Sequence, residues 1–204
     1  MNNMVTTGDI VLASGSVVRQ RLMRDAGINF TVKPAAIDEQ MVKESLLAEG
    51  ADATQLAHSL AELKAYTVSR RCPGVLVIGA DQILVCGDRF FDKPVDMDHA
   101  RAHLQALRNR SHDLVSAVCA VRDGVPLWHE VSSARLTLRD FSDQFLDEYL
   151  AAAGDQILSS VGAYQLEGAG VHLFSKIEGD YFTILGLPLL PLLLFLRDNG
   201  VLKT

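Results

Sequence analysis

The chain is short of basic residues: 19 Lys and Arg stand against 25 Asp and Glu in 204 residues, a formal charge of −6. A protein that binds nucleic-acid polymers by neutralising phosphates carries a basic stripe. The longest basic run here is Arg70-Arg71, so a polymer is excluded as partner and an anionic ligand would need a local basic pocket. Aromatic residues are 6% of the chain, with one Trp, too few for a platform that stacks single-stranded RNA. Cys72, Cys86 and Cys119 form no Cys-x-x-Cys pair, which argues against a zinc knuckle or a disulfide framework and fits the reducing cytoplasm. Long apolar runs are missing too. Residues 184–196 are nearly all apolar, but as a helix they cover about two thirds of a bilayer core, and Pro188 and Pro191 interrupt them. That excludes a membrane partner and predicts a buried helix starting near Pro188 and ended by Asp198-Asn199-Gly200. Residues 1–9 are expected to be a flexible, polar N-terminus without a secretory signal. At 49% hydrophobic and 22% charged residues, what remains is globular and long enough for one sizeable domain or two small lobes.

Hydrophobic periodicity divides the chain into short strands and amphipathic helices. Residues 10–13 read as a strand, and Ser14-Gly15-Ser16 leads from it into Val18, Leu22 and Ala26 at helical spacing. Ser16 suits the N-cap and Gly27 the stop. A second strand is expected around residues 30–33. Over residues 54–69, Leu56, Leu60 and Leu63 join Ala57, Ala61 and Ala65 on a broad apolar helical face, closed by Pro73-Gly74. Residues 75–86 predict a central strand with a break or bend near Gly79. Asp96 is expected to cap a helix through Ala100, Leu104 and Leu107. Residues 114–121 read as a strand that turns at Arg122-Asp123-Gly124 onto a partner over residues 127–138. Ser142 starts another helix, and residues 162–174 read as a glycine-punctuated loop and strand. Helices and strands mix without a regular βαβ rhythm, so the expected class is α/β of mixed α+β character in a single domain, distinct from a Rossmann domain.

Several segments could carry chemistry. Ser14, Ser16 and Arg19 surround the first helix start, where free backbone amides and the helix dipole favour an anion; a plain helix cap uses the same residues, and the Lys of a Walker loop is missing. Asp81, in Gly79-Ala80-Asp81-Gln82, is a carboxylate inside an apolar strand. It is either paired, metal-bound or turned to solvent at a bend, because burying it alone is costly. Asp38-Glu39 falls in an expected loop; Glu39 and Asp81 are a minimal donor pair for Mg²⁺ or Mn²⁺ whose other positions phosphates fill, or else Glu39 belongs to a solvated acidic loop. Lys64 and Lys93 offer point charges for phosphates, or are surface lysines. Glu167, among Gly162, Gly168 and Gly170, lies where backbone approaches a planar ligand closely or simply turns. Of the six histidines only His99 and His103 fall at HxxxH spacing, and no HExxH motif or GxSxG elbow is present, so they read as surface or structural residues.

In order, Leu12-Ala13-Ser14-Gly15-Ser16 with Arg19, Ile37-Asp38-Glu39, Lys64-Ala65, Gly79-Ala80-Asp81-Gln82, Lys93-Pro94, Gly162-Ala163-Tyr164, Glu167-Gly168 and Gly186-Leu187-Pro188 resemble the Maf family of nucleoside triphosphate pyrophosphatases over residues 10–200. The resemblance implies a two-lobed fold around a long mixed sheet, related to the inosine triphosphate pyrophosphatases, with substrate in a central cleft. It implies hydrolysis of a nucleoside triphosphate to the monophosphate and pyrophosphate. Asp81 would accept the proton of the attacking water or ligate a metal, Glu39 would help hold Mg²⁺ or Mn²⁺, and Ser14, Ser16, Arg19, Lys64 and Lys93 would bind phosphates. It further implies a homodimer. The family's association with inhibition of septum formation implies a second reading, a non-catalytic nucleotide-binding regulator of cell division.

Two departures qualify the resemblance. The family's first motif is Ser-x-Ser-Pro-Arg-Arg, whereas Val17 and Val18 stand here for the proline and first arginine. A charge-assisted contact of ~1.5–3 kcal/mol is therefore missing or supplied elsewhere. Three positions tied to base choice in the family read Val18, Gln82 and Glu167. Gln82 and Glu167-Gly168 side with the branch acting on 7-methyl-GTP, although that branch commonly has an aromatic residue where Val18 stands. A carboxylate at Glu167 suits guanine N1 and N2 and a cationic methylated ring, so the resemblance implies a guanine-type or modified base.

Overall fold

The computed structural model describes residues 10–203; the expectation for residues 1–9 lies outside them. Among the described residues the chain runs β1 (Ile10–Leu12), α1 (Val17–Asp25), β2 (Thr31–Val32), α2 (Glu39–Ala48), α3 (Ala53–Ser69), β3 (Leu76–Cys86), β4 (Arg89–Phe91), α4 (Met97–Leu107), β5 (Ser111–Arg122), β6 (Val125–Leu138), α5 (Asp143–Ala153), β7 (Phe174–Glu178), α6 (Tyr181–Ile184) and α7 (Leu189–Asp198), with 3-10 segments at Gly154–Ser159 and Ala169–Leu173. The strand order is β2-β1-β3-β5-β6-β7, with β4 on β3. β1 is parallel to β2 and β3, whereas the β3–β4 and β6–β7 pairs are antiparallel. This is the mixed α/β class that the patterning implied.

Local chemistry accounts for most boundaries. Ser16, Asp96 and Ser142 each accept a hydrogen bond from the backbone N–H three residues on, and so cap α1, α4 and α5. Asp123 and Gly124, with φ of 52° and 75°, turn β5 into β6. Gly200, with φ of 68°, follows the end of α7. No helix among the described residues is long and apolar enough to cross a membrane, and the three cysteines are free and buried.

Three expectations change. The loop expected at Asp38-Glu39 is a helix start: the Asp38 Oδ1 accepts from the Met41 N–H at 3.0 Å and caps α2. The break expected as one alternative near Gly79 is absent: β3 runs unbroken from Leu76 to Cys86. The strand expected within residues 162–174 begins only at Phe174. A Cβ at Gly170 would overlap the Gln165 carbonyl oxygen, so the chain there is folded too tightly on itself to extend.

By its contacts the chain divides into two compact units. The first takes the chain up to Gln82, Ser116–Ser132 and the chain from Tyr181. On one face of its strands Ile10, Leu12, Leu76, Ile78 and Ala80 pack with Leu22 and Met23 of α1 and Leu192 and Leu196 of α7. On the other, Val11, Ala13 and Val77 meet Ala65 and Val68 of α3. The twofold period of a strand then puts Asp81 on the α3 face and Gln82 on the α1/α7 face. The second unit, Ile83–Val115 with Ser133–Asp180, has its own core, in which Leu104, Leu107, Leu136, Leu138 and Leu146 are fully buried.

Candidate active site

Gly79 is the point at which β3 comes closest to α3. A Cβ there would overlap the Ala61 carbonyl oxygen and lie 2.8 Å from the Ala65 nitrogen, so only bare backbone lets the helix settle on the strand. That approach brings Lys64, beside Ala65, to Asp81, two residues along the same strand face. The Lys64 Nζ donates to the Asp81 Oδ1 at 2.6 Å and to the Glu39 Oε2 at 2.8 Å. Lys64 and Asp81 are buried, whereas Glu39, the first residue of α2, leaves about half its side chain (52%) in solvent. The buried Asp81 is thus paired. Burial of an ionised carboxylate, costly when unpaired, is offset here by a charge-assisted bond to an ammonium.

Arg19 projects from α1 into the same unit. Its Nε donates to the Gly186 carbonyl at 2.7 Å, and its Nη1 donates to the Ala80 carbonyl at 2.8 Å and the Ser14 Oγ at 3.1 Å. Burial pulls the guanidinium below the usual arginine range, while the charges of Asp81 and Glu39 oppose that shift. The Ser14 Oγ also accepts from the Ser16 N–H at 3.3 Å, and the Ser16 Oγ from the Arg19 N–H at 3.4 Å. Arg19 and Lys64 against Glu39 and Asp81 make a four-charge cluster of net zero. An anion arriving with a counter-cation would therefore meet a balanced local charge.

Gln82 lies on the opposite face of β3. Its Nε2 donates to the Ser116 Oγ at 3.0 Å and to the carbonyls of Thr183 and Ile184 at 3.1 and 3.0 Å. The Ser116 hydroxyl donates in turn to the Thr183 carbonyl at 2.8 Å. Val18 packs partly buried against the core of the first unit. Ser14, Ser16, Arg19, Glu39, Lys64, Asp81 and Gln82 thus belong to one unit, while Lys93 and Glu167, both exposed, belong to the second. Sequence reasoning missed Ser116 and the carbonyls of Thr183 and Gly186. The one signal in the sequence was a hydroxyl inside the apolar run Leu114-Val115-Ser116-Ala117-Val118, which the structure buries fully.

The donor chemistry suits a hard divalent cation. Lys64 engages one oxygen of each carboxylate, and the other oxygens, Asp81 Oδ2 and Glu39 Oε1, are those a cation would take. Among the described residues no cluster of three or more His, Cys, Asp or Glu is arranged as a metal site. Two carboxylates with the remaining positions left to water and phosphate is a common mode for Mg²⁺.

The family described as Maf-like protein matches residues 9–199. A nucleoside triphosphate pyrophosphatase of Paramagnetospirillum magneticum is 58% identical, over 94% of this chain and 99% of that protein. A 7-methyl-GTP pyrophosphatase of Rhizobium etli is 51% identical, over 96% of this chain and 98% of that protein. Among solved structures, a nucleoside-triphosphatase, dITP/XTP pyrophosphatase from Mycobacterium abscessus aligns over 94% of this chain and 95% of its own at 12% identity, with a TM-score of 0.38.

Proposed function

The chain belongs to the Maf-like protein family, and on that premise we propose that it hydrolyses a nucleoside triphosphate to the nucleoside monophosphate and pyrophosphate. The observation that carries the reading is the convergence of Asp81 and Glu39, from separate elements, on one buried ammonium at 2.6 and 2.8 Å. Asp81, fixed by Lys64, accepts the proton of the attacking water or serves as a metal ligand. Glu39 and Asp81 hold the divalent cation, Mg²⁺ or Mn²⁺. Such a cation, when bound, neutralises charge on the departing pyrophosphate. Ser14 and Ser16 at the start of α1, with Lys64 and Lys93, bind the phosphates, while Arg19 holds the Ser14 hydroxyl and the strand carbonyl next to Asp81 in register. Glu167 accepts from a guanine-type base, in keeping with the 7-methyl-GTP relative, and the activity is the clearance of a modified nucleotide from the cytoplasm.

The test is a panel of canonical, methylated and deaminated nucleoside triphosphates with Mg²⁺ or Mn²⁺, scored for pyrophosphate against orthophosphate. Pyrophosphate is expected, with 7-methyl-GTP or another guanine-type nucleotide preferred. Orthophosphate as the main product overturns the α,β cleavage. Binding of a triphosphate without turnover under any metal condition makes the chain a regulator instead.

A further inference from the structure

Resting on the role that the pyrophosphatase reading gives Glu167, we propose that His112 and Tyr164 are positioning residues for it. Their buried hydrogen bond is a strut that roots the turn from Gln165 to Gly168, and so tunes discrimination between bases with no part in hydrolysis. Strand β5 aims His112 inward. Ser111 and Asp113 on either side of it engage Thr137 and Arg135 of β6: the two hydroxyl oxygens lie 2.8 Å apart, and the Arg135 Nε and Nη2 donate to Asp113 at 2.8 Å each. The twofold period of a strand then turns the imidazole to the opposite face. There it is 2% exposed, and its Nε2 lies 2.6 Å from the Tyr164 hydroxyl. Phe174 stands edge-on to the Tyr164 ring at 4.9 Å.

Tyr164 reaches His112 because its own chain doubles back. A Cβ on Gly162 would overlap the Tyr164 ring, so only bare backbone lets that ring fold beneath it. Ala163 has φ of 55°, a left-handed conformation that a residue with a side chain keeps only when its surroundings hold it. Two anchors do so. His112 holds the Tyr164 hydroxyl on one side, and on the other the Tyr149 hydroxyl of α5 donates to the Ala163 carbonyl at 3.4 Å and accepts from the Gln165 N–H.

The turn begins where those anchors end. The Gln165 carbonyl accepts from the Gly168 N–H at 3.2 Å, which makes Leu166 and Glu167 the central residues of a β-turn. Gly170 packs bare against the Gln165 backbone. Both ends of the turn are thus tied to Gln165, and the place of Glu167 follows from the residue that Tyr164 and Tyr149 fix. Loss of the strut lets Ala163 relax and carries the turn with it. A carboxylate that accepts from base N–H groups depends on distance and angle, so the displacement weakens base binding. Glu39, Lys64 and Asp81, given to hydrolysis, belong to the other unit, so chemistry is spared.

The experiment measures kcat and KM on 7-methyl-GTP and UTP for wild type, Tyr164→Phe, His112→Gln, Glu167→Gln and the double variant of Tyr164→Phe with Glu167→Gln, and follows amide hydrogen exchange at Gly168. In Tyr164→Phe the KM for 7-methyl-GTP is expected to rise about tenfold with kcat within about threefold, so the preference over UTP falls by about the KM factor. His112→Gln keeps a partner for the Tyr164 hydroxyl and should hold the wild-type preference within about threefold. In the Glu167→Gln background Tyr164→Phe should lower the preference no further, because the strut acts through Glu167. Exchange at Gly168 should rise in Tyr164→Phe and stay at the wild-type level in His112→Gln. A fall in kcat on both nucleotides at unaltered KM, a full additional loss in the double variant, an equal loss in His112→Gln, or unaltered exchange in Tyr164→Phe each overturns the proposal. If Tyr164→Phe does not fold, His112→Leu combined with Tyr164→Phe, which leaves neither partner unpaired, is scored by the same criteria. If Glu167→Gln leaves the preference unchanged, the base-reading role fails and the strut's bearing on base choice falls with it. Should wild type hydrolyse no triphosphate, the pyrophosphatase reading fails by itself, and Kd values for the two nucleotides replace KM in the same comparisons.

Discussion

His112 shows how a single residue records its surroundings. In the second unit its ring is buried, its Nε2 lies 2.6 Å from the Tyr164 hydroxyl, and its Nδ1 has no partner among the described residues. Burial pushes the imidazole down to about 4, against a weak opposing pull from Asp113, and pushes the Tyr164 phenol up. The folded protein therefore holds His112 neutral, while the unfolded chain takes up the proton below about 6.5. Stability from this residue is fully present above that pH and is lost as pH falls to about 4, by on the order of 3 kcal/mol. Urea unfolding between pH 7 and 4.5 should show that loss, and His112→Gln, which keeps a partner for Tyr164, should flatten it; equal slopes in the two proteins would sink the assignment. The sequence marked Asp81 because a carboxylate in an apolar run demands a partner. It gave His112 only a structural or surface role, since nothing along the chain brings residue 164 beside residue 112.

At the scale of elements, the packing of α3 on β3 sets the spacing of the charged cluster. Gly79→Ala puts a methyl group where the Ala61 carbonyl and Ala65 stand. Overpacking of this kind costs about 1–3 kcal/mol, or roughly 2–10 °C in a chain of this size. The thermal midpoint should fall by that amount, and turnover should fall with it as Lys64 is moved from Asp81. An unchanged midpoint would show that the helix has room to give. Caps and the β5–β6 hairpin were legible because Ser16, Asp96, Ser142 and Asp123-Gly124 act on neighbours within three residues. Helix α2 was not, because its apolar residues are at most half-buried and the one buried position on it is Lys43, so it carries almost no amphipathic signal. At Gly79 the sequence signal was sound but its cause was misjudged: the glycine serves a close approach of helix to strand within an unbroken β3.

For the whole molecule the charge of −6 is the wrong scale on which to look for an anion site. Arg19, Lys64, Glu39 and Asp81 cancel locally, so on the proposed function capture of a triphosphate would depend on that cluster with a bound cation, against a mildly repulsive overall field. The order of motifs was legible from end to end because each is a local run of residues. The use of Gln82 was not, since its partners lie 34, 101 and 102 residues away and only the fold brings them to it. The most direct test of the account is the rate of pyrophosphate release by Asp81→Asn, with its fold verified by thermal unfolding. Removal of the carboxylate that Lys64 holds should lower kcat about 10²- to 10⁴-fold, whereas release within about threefold of wild type would contradict the role given to Asp81.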